Sequence, residues 1–327
     1  LIAPDISVTP ESFIATLAPG QTMTDTLFIN NTGGSDLEFD IQTYAEVGGA
    51  LALDGSNDGL AVFDHSALDI QNQITIEAWI NPSLIGQDYP RIVAKGSATT
   101  SYGNYGAYEL ALNGTNGDGN AGSAFATLVD ANTNEANWVG SDGEIPFSTW
   151  THLAATYDGN YFRFYVNGFL EDEYLQNITI TTNTQFLSIG KWYSGNNNCF
   201  AGHIDEIRIW DIARTEDEII TNINQVLNGD DPNLVGYWNF DNDISDQSIY
   251  QHPTISAGGF EIVESTSPVE TWNFFSITPM IGTIMAGNTL TAVLSINDWY
   301  NTGTHNGVIY ISSNDPDEPL IDIPVSI

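Results

Sequence analysis

The sequence predicts an all-β protein, and two observations carry that prediction. Stretches such as "TDTLFIN", "ITIEAWI", "YFRFYVNG" and "GVIYISS" alternate with a period of two and are rich in Val, Ile, Thr, Phe and Tyr. Both features are typical of β-strands. Gly, Asn and Asp punctuate the stretches, which is where turns between strands are expected. We therefore expect many short strands and sandwich architecture throughout the 327 residues.

One helix is predicted near residues 215–227, in "ARTEDEIITNINQVL". Thr215 is the expected N-cap, and Glu218 three residues later completes a capping box. One apolar face follows at helical spacing, and Asn228-Gly229 is the expected end. The predicted apolar face consists of Ile219, Ile220, Ile223 and Leu227.

The charge balance excludes several classes of partner. The chain has 42 acidic and 6 basic residues, for a formal net charge of -36, and its basic residues all lie between positions 91 and 214. Such a surface repels phosphate backbones and anionic lipid headgroups, which argues against nucleic-acid binding and direct membrane attachment. The acidity fits either solubility in a saline, cation-rich medium or attraction to a dedicated cationic partner.

Cysteine usage and hydropathy are compatible with an extracellular segment of a larger protein. Cys199 is the single cysteine, so no intrachain disulfide can form, but a large β core can fold without one. There is no apolar run of about 18 residues that would predict a membrane span. We expect an ordered part of a longer polypeptide, with neighbouring domains of the same chain as its natural partners.

The two ends of the chain carry strand patterns that look incomplete separately. Residues 4–46 offer roughly three strands and residues 272–327 about four, whereas a lone small sheet is marginal in water. "SVTPESFIATLAPGQTMTDTLFINNTGGSDLEFDI" resembles the first half of the immunoglobulin-like modules of bacterial surface and secreted proteins, and "GVIYISSNDPDEPLIDIPVSI" resembles part of the second half. The resemblance implies one immunoglobulin-like β-sandwich made from residues 1–47 and 267–327. Two separate, degenerate flanking domains are the alternative.

The middle of the chain, residues 48–266, resembles a laminin-G-like jelly-roll domain of the LamG and pentraxin kind. The motifs that carry the resemblance occur in family order, from "ALALDGSNDGLAVF" through "STWTHLAATYDGNYFRFYVNGFL" to "FAGHIDEIRIWDIARTEDEI" and "LVGYWNFDN". The resemblance implies a concanavalin A-like sandwich inserted into the immunoglobulin-like one. Within it, Asp-Gly and Asn-Gly punctuate "YDGNYFRFYVNG" and predict a hairpin, and His152 is expected to be a core or hydrogen-bonded residue.

A calcium site is predicted at "DGSND". Ca²⁺ prefers six to eight hard oxygen ligands, which an irregular loop of Asp and Asn readily supplies. The family resemblance implies that such domains hold the ion between this loop and the acidic residue of the "GHIDEI" strand. The predicted structural ligands are Asp54, Asn57, Asp58 and Asp205, and the alternative is that the loop residues only form turns.

Ligand binding is expected on polar loops, and catalysis is not expected. Trp138, Trp192 and Tyr193 could stack on sugar rings, although Asn/Gly-rich loops can also be plain connections. Asp205 and Glu206 are adjacent on a strand and so point to opposite faces, which prevents them from acting as a glycosidase pair. Glu206 and Arg208, two apart, are expected to form a salt bridge.

The sequence therefore favours a non-catalytic extracellular adhesion or recognition module, stabilised by Ca²⁺, that binds a glycan or a surface protein. One alternative is a structural repeat or appendage subunit without a ligand. Another is the carbohydrate-binding accessory region of a secreted hydrolase.

Overall fold

The computed structural model describes residues 2–18, 21–45, 48–84, 88–96, 106–117, 120–192, 198–227, 229–269, 275–296 and 306–327. The chain divides into two compact units. One unit comprises Leu1–Val47 with Thr271–Ile327, and the other comprises Gly48–Glu270. Almost all regular structure is β, as the sequence predicts.

The strands are numbered in chain order. The first segment contributes β1 (Ile6–Thr9), β2 (Phe13–Ile14), β3 (Met23–Asn31) and β4 (Leu37–Ala45). The middle contributes β5 (Gly49–Asp54), β6 (Leu60–Val62), a 3₁₀ turn (Ser66–Leu68), β7 (Ile74–Pro82), β8 (Arg91–Lys95), β9 (Tyr108–Leu112), β10 (Ser123–Val129), β11 (Ala136–Glu144), β12 (Thr151–Tyr157), β13 (Tyr161–Val166), β14 (Phe169–Leu175), β15 (Leu187–Ile189), β16 (Ala201–Trp210), α1 (Glu216–Asn222), β17 (Leu234–Trp238), β18 (Thr254–Ser256) and β19 (Glu261–Glu264). The last segment contributes β20 (Phe275–Thr278), β21 (Ile281–Ile284), β22 (Thr289–Ile296), β23 (Asn306–Ser313) and β24 (Leu320–Ser326).

In the first unit, strands from the two ends of the chain pair with each other. One sheet has the order β1-β3-β22-β20 and the other β2-β24-β23-β4-β21. The antiparallel pairs β3/β22 and β4/β23 join residues about 260 positions apart, such as Phe28 with Thr291 and Ile41 with Ile311. A shared apolar core includes Leu27, Phe275 and Ile309. The flanking segments therefore complete one another's sheets, and the immunoglobulin-like assignment of this unit stays a prediction.

The middle unit contains two larger sheets. A seven-stranded sheet has the order β11-β10-β9-β8-β15-β6-β18, and an eight-stranded sheet has the order β14-β13-β12-β7-β16-β5-β19, with β17 paired to β16. Strand alternation explains how the core forms: Ile74, Ile76, Ala78 and Ile80 of β7 belong to the apolar cluster, whereas Glu77 occupies an intervening position outside it.

The hairpin predicted in "YDGNYFRFYVNG" is present as β12, β13 and β14. Asn167 and Gly168 have φ angles of 51° and 84°, the left-handed values that both central residues of a type I′ turn require. The Asn167 side chain also accepts a hydrogen bond from the backbone N–H of His152. The short turn fixes the β13/β14 pairing and so positions the edge strand β14.

The helix α1 begins as predicted but is shorter than predicted. Thr215 and Glu218 form the full capping box, but the helix ends at Asn222 rather than near residue 227, and Ile220 is exposed. The carbonyls of residues 222, 223 and 225 accept hydrogen bonds from Arg208 and Trp79. A helix end leaves its last carbonyls without helical hydrogen-bond donors, and here the side chains of Arg208 and Trp79 supply donors to the carbonyls where the helix stops.

Candidate functional site

The strongest candidate for a binding site is a groove of about 550 Å³ on the middle unit. It lies where β10 and β11, at one edge of the seven-stranded sheet, meet β14, at one edge of the eight-stranded sheet. Its aromatic lining residues are Tyr89, Phe125, Trp138 and Tyr174, and its polar ones are Asn113, Asn120, Ser123, Ser141, Asp142 and Asp172.

Strand alternation places the aromatic residues of the groove. Ala124, Ala126 and Leu128 of β10 point into the core, so Phe125 points to the opposite face. The ring of Trp138 lies 5.4 Å from that of Phe125. Trp138 is 44% exposed and Tyr174 is 54% exposed. Two large aromatic surfaces are thus available to a ligand, and one of them is held in place by a ring beneath it.

Two carboxylates are the charged groups among the groove-lining residues. Asp142 is exposed on β11, while Asp172 on β14 is half-buried and accepts a hydrogen bond from the Gly140 N–H at 3.2 Å. That bond links β14 to β11 across the groove. The backbone carbonyl of Asp142 also accepts a bond from the Asn120 amide, at 3.4 Å.

Beneath the groove lies a buried cation. The Arg91 guanidinium carbon is 5.5 Å from the Tyr89 ring centroid, 5.9 Å from that of Phe125 and 4.4 Å from that of Trp192. Its Nε lies 2.8 Å from a carboxylate oxygen of Glu109. Burial lowers the pKa of Arg91, and the charge of Glu109 opposes that shift. The arginine stacks under the aromatic residues and stabilises their positions.

The three residues predicted to bind a ligand have different locations. Trp138 lines the groove. Trp192 does not line it; this ring packs on Arg91 instead. Tyr193 lies outside the described residues.

Sequence reasoning missed Tyr89, Tyr174 and Asp172. Asn113 and Asn120 lie in "NGTNGDGNAGS", which is one of the Asn/Gly-rich polar loops on which the sequence predicts ligand binding. An aromatic residue in the exposed stretch "EDEYL" was the available signal for Tyr174.

The structure does not bring the four predicted calcium ligands together. Asp54 pairs with Ala201 at the start of β16, whereas Asp205, opposite Trp79, is four residues further along that strand. At about 3.3 Å per residue this separates the two positions by roughly 13 Å. The described residues contain no group of three or more His, Cys, Asp or Glu side chains that could hold a metal ion.

The "DGSND" loop is instead held by internal hydrogen bonds. The carboxylate of Asp58 accepts from the N–H groups of Asp54 and Gly259, and that of Asp54 accepts from Ser56 N–H. The Lys191 ammonium donates to the carbonyl of Asn57 at 2.8 Å. The residues therefore do not fit the predicted four-ligand site, and calcium binding by the loop alone stays a prediction.

Asp205 is part of a buried hydrogen-bond cluster. One carboxylate oxygen accepts from the hydroxyls of Ser265 and Ser267, both at 2.7 Å, and the other accepts from the Glu206 N–H at 2.8 Å. Burial raises the pKa of Asp205 well above its usual range, and the nearby charge of Glu206 adds to the shift. The residue therefore joins β16 to Ser265 and Ser267 through hydrogen bonds.

Neighbouring polar residues on the eight-stranded sheet are also structural. Glu206 and Arg208 form the predicted salt bridge, but it is buried and not at a sheet edge. His152 is buried 3.3 Å from a carboxylate oxygen of Glu77, as its predicted core role requires. Burial alone would raise the pKa of Glu77, but the hydrogen bond from His152 and the charges of Arg208 and Arg214 lower it to about 2.

Comparison with known proteins gives a family model and several relatives. Residues 54–220 match the laminin G-type model described as the concanavalin A-like lectin/glucanases superfamily. This chain is 25% identical to mouse pappalysin-1 over 180 residues, and the matched residues make up 53% of this chain. It spans only about a tenth (11%) of the length of that relative.

Two solved structures are among those similar to this chain. A putative carbohydrate-binding protein from Bacteroides ovatus superposes with a TM-score of 0.50 at 16% identity, covering 78% of this chain and 72% of that one. A heptameric pentraxin from Limulus polyphemus has a TM-score of 0.46 at 14% identity, covering 69% and 96%. No helix in the described part of the chain is long and apolar enough to cross a membrane. The two-sheet architecture and the family match, which covers half of the chain, show that this protein belongs to the concanavalin A-like lectin/glucanases superfamily and contains its jelly-roll sandwich.

Proposed function

We propose that this protein is a non-catalytic, extracellular recognition module that binds glycans in the groove lined by Trp138 and Tyr174. The observation that carries the proposal is the composition of the groove, where exposed aromatic rings and amide side chains line one cavity. The name of the Bacteroides ovatus relative, a putative carbohydrate-binding protein, supports the same class of ligand.

The chemistry of the lining suits a sugar. A pyranose ring has an apolar face of C–H groups that packs on an aromatic ring, and hydroxyls around its edge that need donors and acceptors. Trp138 supplies a flat apolar surface that is already ordered against Phe125. Asn113 and Asn120 each offer both a donor and an acceptor, and the carboxylates of Asp142 and Asp172 offer acceptors.

The acidic composition supports an extracellular role in adhesion. A net charge of -36 keeps the module soluble in a cation-rich medium and disfavours nucleic acid and anionic lipid as partners. The module would then display its groove on a larger surface or secreted protein, with a glycan or a glycosylated surface protein as the partner.

Calorimetry with neutral oligosaccharides, chosen by a glycan array, tests the proposal. Trp138→Ala should weaken binding about tenfold, because an aromatic contact contributes up to about 1.5 kcal/mol beyond area burial. Phe169→Ala is the matched control: Phe169 is 66% exposed on β14 but does not line the groove. Unchanged affinity in Trp138→Ala, or no glycan binding by the wild type, would refute the proposal.

One observation favours the structural alternative. Phe169, Leu170 and Leu175 of the edge strand β14 are all exposed, at 66%, 44% and 67%. Exposed apolar side chains on a sheet edge can pack against a neighbouring module. A wild-type protein that binds no glycan but associates with an adjacent segment of its own chain would support this alternative.

A further inference from the structure

The charge of the groove limits which glycans it can hold. The charged residues among those lining it are Asp142 and Asp172, both anionic. We infer that the groove is selective for uncharged glycans and rejects those carrying carboxylate, sulfate or phosphate groups. The inference rests on the proposed function and adds the chemical class of the ligand.

Proteins usually bind anionic sugars through Arg or Lys, and here those residues have other roles. The sequence contains six Lys and Arg residues, and the structure describes all of them. Each has a partner within the chain. The pairs are Arg91–Glu109, Lys95–Asp64, Arg163–Asp158, Arg208–Glu206 and Arg214–Glu77, and Lys191 donates to the carbonyls of Asn57 and Ala257.

Most of these cations are also inaccessible. The side chains of Arg91, Lys95 and Arg208 are no more than 3% exposed, that of Arg214 is 7% exposed, and Lys191 as a residue is 4% exposed. The remaining one, Arg163, is 23% exposed but contacts two carboxylates, Asp158 and Glu173.

Arg91 is the cation next to the groove, and its contacts keep it from turning toward a ligand. It lies beneath Tyr89 and Phe125, donates to the Tyr89 carbonyl, and pairs with Glu109, whose side chain is fully buried. Turning toward a ligand would leave that carboxylate buried without a counter-charge, which is strongly unfavourable. An anionic sugar would therefore meet two aspartates and no available guanidinium.

Matched pairs of oligosaccharides test the inference. The probes are neutral gluco-, galacto- and manno-oligosaccharides with the corresponding uronate oligomers, which differ from them by a carboxylate on each ring. We expect each uronate to bind about tenfold or more weakly than its neutral counterpart at low salt, with a smaller difference at high salt because the charges are screened.

Two variants test whether the charge of the groove, and not its shape, causes the selectivity. Asp142→Asn combined with Asp172→Asn should raise uronate affinity toward that of the neutral glycan, since the amides keep the size of the side chains. Glu261→Gln removes one charge at the opposite edge of the eight-stranded sheet, on β19, and should change nothing. Melting temperatures of all variants confirm that each is folded.

The outcomes distinguish this inference from the proposed function. Equal or tighter binding of uronates by the wild type, lost in Trp138→Ala, would overturn the selectivity and leave glycan binding in place. Binding of neither member of any pair would overturn the proposed function itself, and the selectivity with it.

Discussion

Arg91 and Glu109 form a buried ion pair on the outer face of the seven-stranded sheet, with 2.8 Å between Nε and Oε2 and side chains 3% and 0% exposed. The two residues lie on the neighbouring strands β8 and β9. The pair fixes a guanidinium under Tyr89, Phe125 and Trp192. The geometry of the aromatic surface therefore depends on a charge pair whose residues do not line the groove.

Glu109→Gln should destabilise the middle unit by about 3 kcal/mol, because removing one partner leaves the charge of Arg91 buried without compensation. Denaturant unfolding measures the change. Glu173→Gln is the matched control, since Glu173 is 39% exposed beside Arg163 and an exposed pair contributes no more than about 1 kcal/mol. Equal effects of the two substitutions would contradict the structural role of the buried pair.

Asp205→Asn should make stability less dependent on pH. Burial raises the folded-state pKa of Asp205 well above 3.8, so the folded protein holds a proton that the unfolded chain releases. Stability from this group is therefore present below the unfolded pKa and is lost as pH rises toward the folded pKa. An asparagine keeps the acceptor for Glu206 N–H and can donate to Ser265 or Ser267.

Thermal unfolding across a pH series measures this effect. The wild type should lose more stability than Asp205→Asn between acid and alkaline pH. Asp54→Asn, a change at an exposed carboxylate, should follow the wild type. Parallel curves for wild type and Asp205→Asn would show that Asp205 titrates as an ordinary carboxyl group.

Chelation tests the calcium prediction. Asp205 lies about 13 Å along β16 from the loop, and the Lys191 ammonium already donates to the Asn57 carbonyl, so only the loop itself is left to bind the ion. An unchanged melting temperature in excess EDTA would contradict calcium binding by the loop. A calcium-dependent rise that disappears in Asp54→Asn with Asp58→Asn would instead establish that the loop holds the ion, as the sequence predicts.

The division into two units predicts independent folding. A chain of residues 48–270 should unfold cooperatively, because that unit contains its own two sheets and core. Replacing those residues with a short Gly/Ser linker should leave a folded flanking unit, since β3/β22 and β4/β23 already join the two ends. Calorimetry of both chains checks this, and a flanking protein that does not fold would contradict the insertion.

Features that depend on neighbours in the chain were predictable. The Asn-Gly turn after β13 and the Thr215–Glu218 capping box both need residues only a few positions apart. The concanavalin A-like fold was predictable because its motifs recur in a fixed order. The end of α1 was not, because Arg208 and Trp79, which bind its last carbonyls, belong to other strands.

The candidate site, too, was predictable only where it depends on residues close together in the chain. Trp138 could be chosen from its residue type and its place beside a polar loop, but Tyr174 is 36 residues further along the chain and on a different sheet. Likewise, the family pattern predicted that Asp205 would join the "DGSND" loop, but the register of β16 against β5 keeps them apart.

By itself, the sequence determined the all-β class, the jelly-roll family and the overwhelming negative charge, since each follows from composition, local alternation or motif order. Only the tertiary structure decided that the aromatic residues of β10, β11 and β14 line one groove. It alone also decided that every Lys and Arg has an internal partner. Strand register and sheet order are set by packing between distant segments, and they determine which side chains meet.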